Sequence, residues 1–162
     1  MINLRVGHGL DFHKFDTSIG NHSIVIGGVL IPNDCKIIAH SDGDVLIHAL
    51  VDAILGAIGM GDIGVHFPDT DAKWKDVNSE IFLKRATELM LHAGYKICNI
   101  DSILICEKPK ISPYYSQIRE HLAKILNISS DSINIKATTT EKMGFLGKKE
   151  GICADVTILC SK

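Results

Sequence analysis

Asp11 and His13 stand two positions apart in VGHGLDFHKF, residues 6–15, a stretch whose alternation reads as a β-strand. Residues i and i+2 of a strand face the same way, so a carboxylate and an imidazole there can hold one ion together. His48 offers a third ligand: it sits among leucines and alanines, where an unpaired imidazole is poorly satisfied. One carboxylate and two imidazoles suit zinc, and three protein ligands leave the open fourth position of a catalytic site. Asp44 and Asp52 flank His48 at i−4 and i+4, and either can orient its second ring nitrogen. The same three side chains also match an iron(II) facial triad. With eight histidines in the chain, a chance polar patch on a strand is the plainer alternative.

Three further clusters carry chemistry. HSDGD, His40 to Asp44, opens a helix. Amides at a helix N-terminus plus a serine hydroxyl make an anion site, and simple capping by Ser41 or Asp42 explains the stretch nearly as well. GMGDIGVHFPDTD, residues 59–71, combines glycines with carboxylates. It can approach a ligand closely and accept hydrogen bonds from sugar-like hydroxyls, or be an ordinary flexible loop. KATTTEKMGFLGKKEG, residues 136–151, puts three threonine hydroxyls at a strand end. These suit phosphate oxygens, Glu141 suits a hard cation such as Mg²⁺, and Lys142, Lys148 and Lys149 add positive charge.

The elements that must position these groups follow from periodicity. Residues 3–13 read as a strand, and SIVIGGVLIP, 23–32, as a hairpin around Gly27-Gly28. A helix begins at Ser41 or Asp42, carries Val45, Leu46, Ala49, Leu50, Ala53 and Ile54 at helical spacing, and ends near Gly59. A second helix covers 79–93 and a strand 96–109. A third helix covers 112–127, with Ser112 as N-cap and Pro113 at its first position. SINIKATT and ICADVTILC are two more strands. The expected fold is α+β: a mixed four-stranded sheet plus a small hairpin, with helices on one face. Too few helices remain to cover the second face, so association through sheet faces or edges is expected.

The bulk properties exclude more than they identify. A length of 162 residues, 46 % hydrophobic and 22 % charged, fits one globular domain, residues 1–162. A net charge of −2 argues against a general nucleic-acid binder. The five cysteines form no CxxC pair and read as reduced thiols. VLIHALVDAILGAIGMG contains His48 and Asp52, too short and polar to span a membrane. No signal peptide is seen. The expected compartment is the cytoplasm, or an organelle matrix if a transit peptide was removed.

GHGLDFH, IGGVLIP, AHSDGDVLIHAL, MGDIG, FPDTD and KATTTEKMGF, in this order along nearly the whole chain, resemble the 2-C-methyl-D-erythritol 2,4-cyclodiphosphate synthases of the non-mevalonate isoprenoid pathway. The resemblance implies a lyase that cyclises 4-diphosphocytidyl-2-C-methyl-D-erythritol 2-phosphate and releases CMP. It implies a homotrimer with active sites between subunits, one zinc ion per subunit on Asp11, His13 and His48, and a second divalent cation, Mg²⁺ or Mn²⁺, on Glu141. Substrate contacts then fall on Asp11, Phe12 and His13, on the anion-orienting pair His40 and Ser41, and on Asp62, Ile63 and Gly64. They continue on Phe67, Pro68, Asp69, Thr70 and Asp71 of the second loop. The cytidine pocket falls on Cys106, Glu107, Lys108, Pro109, Lys110, Ile111 and Ser112. The phosphate strand end falls on Thr138, Thr139, Thr140 and Glu141, with further contacts at Phe145 and Lys148. His40 and Thr139 are the implied catalytic residues, hydrogen-bonding the transition state. The family often has arginine where Lys148 stands and glycine where Lys149 stands; lysine keeps the charge but loses the bidentate fork. Two other classes fit parts of the pattern. An iron(II) oxygenase would need iron and oxygen, and a long helix bearing His48 is foreign to its usual β-helix. A non-catalytic binding trimer would tolerate loss of Thr139 or Glu141.

Overall fold

The computed structural model describes every residue except 1, 2, 17 and 19. β1 (Leu4–Phe15) is followed by the hairpin strands β2 (His22–Ile26) and β3 (Val29–Asn33). The short strand β4 (Ile37–Ile38) leads to α1 (Val45–Ala57), α2 (Ile63–His66) and α3 (Glu80–His92). Then come β5 (Lys96–Ile105), α4 (Tyr115–Leu126), β6 (Ile133–Thr138), α5 (Gly144–Gly147) and β7 (Gly151–Ser161). The main sheet runs β4-β1-β7-β5-β6, with only β5 and β6 parallel.

The main sheet thus has five strands, not the expected four. β1 continues to Phe15, and the backbone edge of its last two residues is filled by Ile37 and Ile38, paired with Phe15 and Lys14. β5 stops at Ile105, short of the expected 109, because its partner β6 ends at Thr138, the residue paired with Ile105, and Pro109 has no amide to give a ladder. The hairpin is as expected: Gly27 and Gly28 both have positive φ, 58° and 76°, the requirement of a two-residue turn of the primed type.

α1 starts at Val45, later than expected, because its cap is Asp44 rather than Ser41 or Asp42. The Asp44 carboxylate is fully buried and accepts from the amides of Ile47, Gly27 and Gly28 at 3.0, 2.8 and 2.7 Å. One side chain therefore caps the helix and clamps the hairpin turn. Burial pushes its pKa up, and the three amides pull it back toward ionisation. Ser112 makes no capping bond; Ser112–Tyr114 form a 3-10 turn that leads into α4.

α1 lies directly on β1. A Cβ at Gly7 would sit 1.9 Å from the Ala53 carbonyl oxygen, and one at Gly9 1.9 Å from that of Ala49. The strand has no side chains there and the helix only alanines, so backbone meets backbone. Ile100, Leu104, Ile133, Ile135, Ile152, Val156 and Ile158 of the sheet are buried, as are Phe82, Leu83 and Met90 of α3 and Ile118 and Leu122 of α4. The second face of the sheet is bare: on β1, Leu4, Val6, Leu10 and Phe12 are 56, 67, 46 and 48 % exposed. Among the described residues no helix is long and apolar enough to cross a membrane.

Candidate active site

The close approach of α1 to β1 brings His48 against the strand face that carries Asp11 and His13. His13 Nε2 and His48 Nδ1 lie 3.0 Å apart. They stand 3.2 and 3.3 Å from the same carboxylate oxygen, Asp11 Oδ2. That oxygen is buried with no hydrogen-bond partner. Three ligand atoms within 4.8 Å of one another, one of them an orphaned carboxylate oxygen, fit a cation better than they fit each other. Burial pushes His13 below the ordinary imidazole range, against the pull of the Asp11 charge. Its lone pair is therefore available at neutral pH, as metal ligation requires.

The second nitrogen of His48 is not held by Asp44 or Asp52, as the helical spacing suggested. Asp44 is turned to the hairpin amides, and Asp52 accepts the Ile63 amide at 2.7 Å, fixing the start of α2. Both carboxylates are drawn to orphan backbone donors, a stronger local demand than an imidazole one turn away. His48 Nε2 instead meets Ser79 Oγ at 2.8 Å and Ser41 Oγ at 3.2 Å.

The triad opens into a cavity of about 350 Å³ that His13, His40, Ser41 and His48 line together with Ile63, Gly64, Phe67, Pro68 and Asp69. Two expected clusters, HSDGD and the 59–71 loop, are thus brought to the metal-type triad. Asp62 caps α2, accepting from the Val65 amide at 3.0 Å, and Asp71 is paired with Lys73 at 2.7 Å; Thr70 is exposed. Sequence reasoning missed Trp74 and Phe82, which wall this cavity. Their rings pack on Phe67 at centroid distances of 5.2 and 4.7 Å. The only signal was their being aromatic near the FPDTD run.

A second cavity, about 450 Å³, is lined by Cys106, Glu107, Pro109, Lys110, Ile111, Ser112, Thr138 and Thr139, with Tyr115 and Ala137. Parallel pairing of β5 with β6 sets these two strand ends side by side. Glu107 Oε1 accepts from the amides of Thr140 and Lys142 at 3.2 and 3.1 Å, tying the two loops together. Thr139 donates to Glu141 Oε1 at 2.9 Å. Lys108 is turned away to Asp34, 2.9 Å distant. No residue lines both cavities.

Lys148 faces neither cavity; it lies in a third hollow with Lys14, Asp16, Asp34 and Lys149. Lys149 has φ 63°, the left-handed backbone that glycine adopts freely and lysine at a cost of about 1 kcal/mol. Phe145 is on the bare sheet face, its ring centroid 5.9 Å from that of Phe12.

The likeness to known proteins is spread over the whole chain. It is 53 % identical over 159 residues to the 2-C-methyl-D-erythritol 2,4-cyclodiphosphate synthase of Ehrlichia canis, covering 96 % of this chain and 92 % of that one. To the protein of that name from Shewanella piezotolerans it is 47 % identical over 161 residues, covering 99 % of both. Among solved structures it matches the bifunctional IspDF of Campylobacter jejuni with a TM-score of 0.93 and 40 % identity, covering 99 % of this chain and 43 % of that one. It matches an IspF–CDP complex of Plasmodium falciparum with a TM-score of 0.86 and 38 % identity, covering 98 % of this chain and 96 % of that one. A family model described as the YgbB family matches residues 4–161, nearly the whole chain, and the chain belongs to the YgbB family.

Proposed function

We propose that this chain, as one domain over residues 1–162, converts 4-diphosphocytidyl-2-C-methyl-D-erythritol 2-phosphate to 2-C-methyl-D-erythritol 2,4-cyclodiphosphate and CMP, a step in isoprenoid precursor synthesis. The carrying observation is full-length identity of about half to proteins named for this reaction, coupled to a buried Asp-His-His group. The substrate's own 2-phosphate is the nucleophile, so the chain needs no serine or cysteine for attack. A phosphate oxygen bonds to the β-phosphorus, the bond from that phosphorus to the α–β bridging oxygen breaks, and the bridging oxygen leaves on CMP.

The residues then act by positioning and charge, the main sources of rate in phosphoryl transfer. Asp11, His13 and His48 would hold zinc and Glu141 Mg²⁺ or Mn²⁺, which supply Lewis acidity toward phosphoryl oxygens and charge compensation for the leaving CMP. His40 and Ser41 orient the phosphate, and the 62–71 segment holds the polyol. The cavity at Cys106 to Ser112 receives cytidine, a reading supported by the CDP complex of the Plasmodium relative. Thr138, Thr139 and Thr140 bind phosphate oxygens, with His40 and Thr139 hydrogen-bonding the transition state.

The triad and the threonine loop line separate cavities, and an apolar sheet face stands bare. Both features support a homotrimer in which one subunit's triad cavity faces its neighbour's nucleotide cavity. A cytoplasmic or organelle-matrix setting goes with free thiols. The test is CMP release from the diphosphocytidyl substrate. Release that a chelator abolishes and Zn²⁺ with Mg²⁺ restores is expected; no release with both metals present would refute the reading.

A further inference from the structure

Ser79, just before α3, is fully buried and has both neighbours a relay needs. Its Oγ is 2.8 Å from His48 Nε2, and its hydroxyl hydrogen-bonds Asp42 Oδ1. Asp42 Oδ2 also accepts the Ser79 amide at 3.0 Å, so the carboxylate grips this serine at two atoms. An ionised carboxylate only accepts, and a hydroxyl has one proton to give. The Ser79 proton therefore goes to Asp42, and toward His48 the serine can only accept. His48 must supply the proton from Nε2. In a neutral ring the lone pair is then on Nδ1, the atom that faces Asp11 Oδ2 and His13 Nε2 at 3.3 and 3.0 Å. Ser41 Oγ, at 3.2 Å from Nε2, already accepts from the Gly43 amide at 3.3 Å, and can share the same imidazole proton as a second acceptor.

We infer that Asp42 and Ser79 are positioning residues for the metal triad: acting through His48, they fix its tautomer and ring orientation so that Nδ1 presents a lone pair to the ion. This rests on the zinc reading above and adds to it the groups that prepare the ligand. A serine interposed between carboxylate and imidazole plays the part that a directly bound carboxylate plays in other histidine–metal sites.

The test uses two variants of the whole protein and two readouts. Long-range proton–nitrogen NMR on the metal-free protein, with His48→Gln identifying the signal, reports which ring nitrogen carries the proton. Zinc affinity is read by competition with a chromophoric chelator. In the wild type, His48 should be protonated at Nε2. In Asp42→Asn the new amide can donate to Ser79 Oγ, which frees the serine proton for His48 Nε2. The ring should then move to the Nδ1–H form, the wrong one for the ion. Ser79→Ala should leave a mixed tautomer. Zinc affinity should fall about 10–100-fold in both. A wild-type His48 protonated at Nδ1, or variants that keep the Nε2–H form with zinc affinity within about twofold, would overturn the inference. Failure of the zinc reading would show separately, as a wild-type protein that takes up no zinc. Asp42→Asn is isosteric and tests the tautomer even where Ser79→Ala, at a buried helix start, does not fold.

Discussion

Cys106 lines the nucleotide-side cavity, a position where a thiol invites the idea of covalent chemistry. Its surroundings oppose that. Burial, with the Glu107 carboxylate as a lesser cause, pushes the thiol up to about 12, and its Sγ reaches the Pro109 carbonyl at 3.5 Å. At pH 8 only about one thiol in 10⁴ would be ionised, and the thiolate is the reactive species. Iodoacetamide at pH 8, followed by peptide mass spectrometry, should therefore label the exposed Cys98 and leave Cys106 untouched until the protein is unfolded. Labelling of Cys106 at the rate of Cys98 would contradict this. The thiol serves as a small apolar wall, in keeping with a reaction whose nucleophile comes with the substrate.

At the scale of elements, the decisive contact is α1 on β1. Gly9→Ala puts a methyl carbon 1.9 Å from the Ala49 carbonyl oxygen, and backbone cannot yield as a side chain does. The helix must lift, at a cost of about 3 kcal/mol and about 6–12 °C in Tm for a chain of this size. His48 moves with it, so zinc affinity should fall as well. Gly56→Ala on the same helix is the contrast: its nearest neighbour would be the His8 carbonyl oxygen at 3.9 Å. Thermal melts should show that variant unchanged or more stable by about 0.5–1 kcal/mol. Equal losses in the two would refute the close-contact account. Much of this level was legible in the sequence. Asp11, His13 and His48 were found from strand alternation and one misplaced histidine, and the hairpin from Gly27-Gly28. What spacing could not show were partners set by tertiary packing. Ser79 is 31 residues from His48, and no periodicity links them. Asp44 and Asp52 sat at the right helical spacing, yet both were claimed by backbone amides that only the fold brings near. β4 was missed because a two-residue strand has no pattern of its own, only an edge to fill.

At the scale of the whole molecule, the chain has an interior on one side of its sheet and an unfinished surface on the other. Leu4, Val6, Leu10 and Phe12 stand exposed on one face of β1, broken by His8, which pairs with Asp155 at 3.0 Å; an apolar surface with a polar pair in it is of the kind that marks an interface. The two cavities lie at the same end of the sheet, where β1, β5 and β6 finish, but toward its opposite edges. The triad cavity is at the β1 side and the threonine loop at the β6 side, with β7 and β5 between. In the proposed trimer each subunit therefore gives its two halves to two different sites. Within each proposed site the metal is then held by one subunit, through Asp11, His13 and His48, and the nucleotide by its neighbour.

The separation of the two cavities has a genetic consequence. Two alleles that are each dead can rescue one another if they are broken on opposite sides. In the proposed homotrimer, mixing His48→Ala subunits with Thr139→Ala subunits would create an interface where an intact triad meets an intact threonine loop. With equal expression and random assembly, about a quarter of all sites should be whole, and co-expressed alleles should regain about that fraction of wild-type turnover. Purified separately, each should stay inactive. Two alleles broken on the same side, such as His48→Ala with Asp11→Asn, should never rescue one another. Absence of rescue between opposite-side alleles in mixed trimers would place the whole active site within a single subunit.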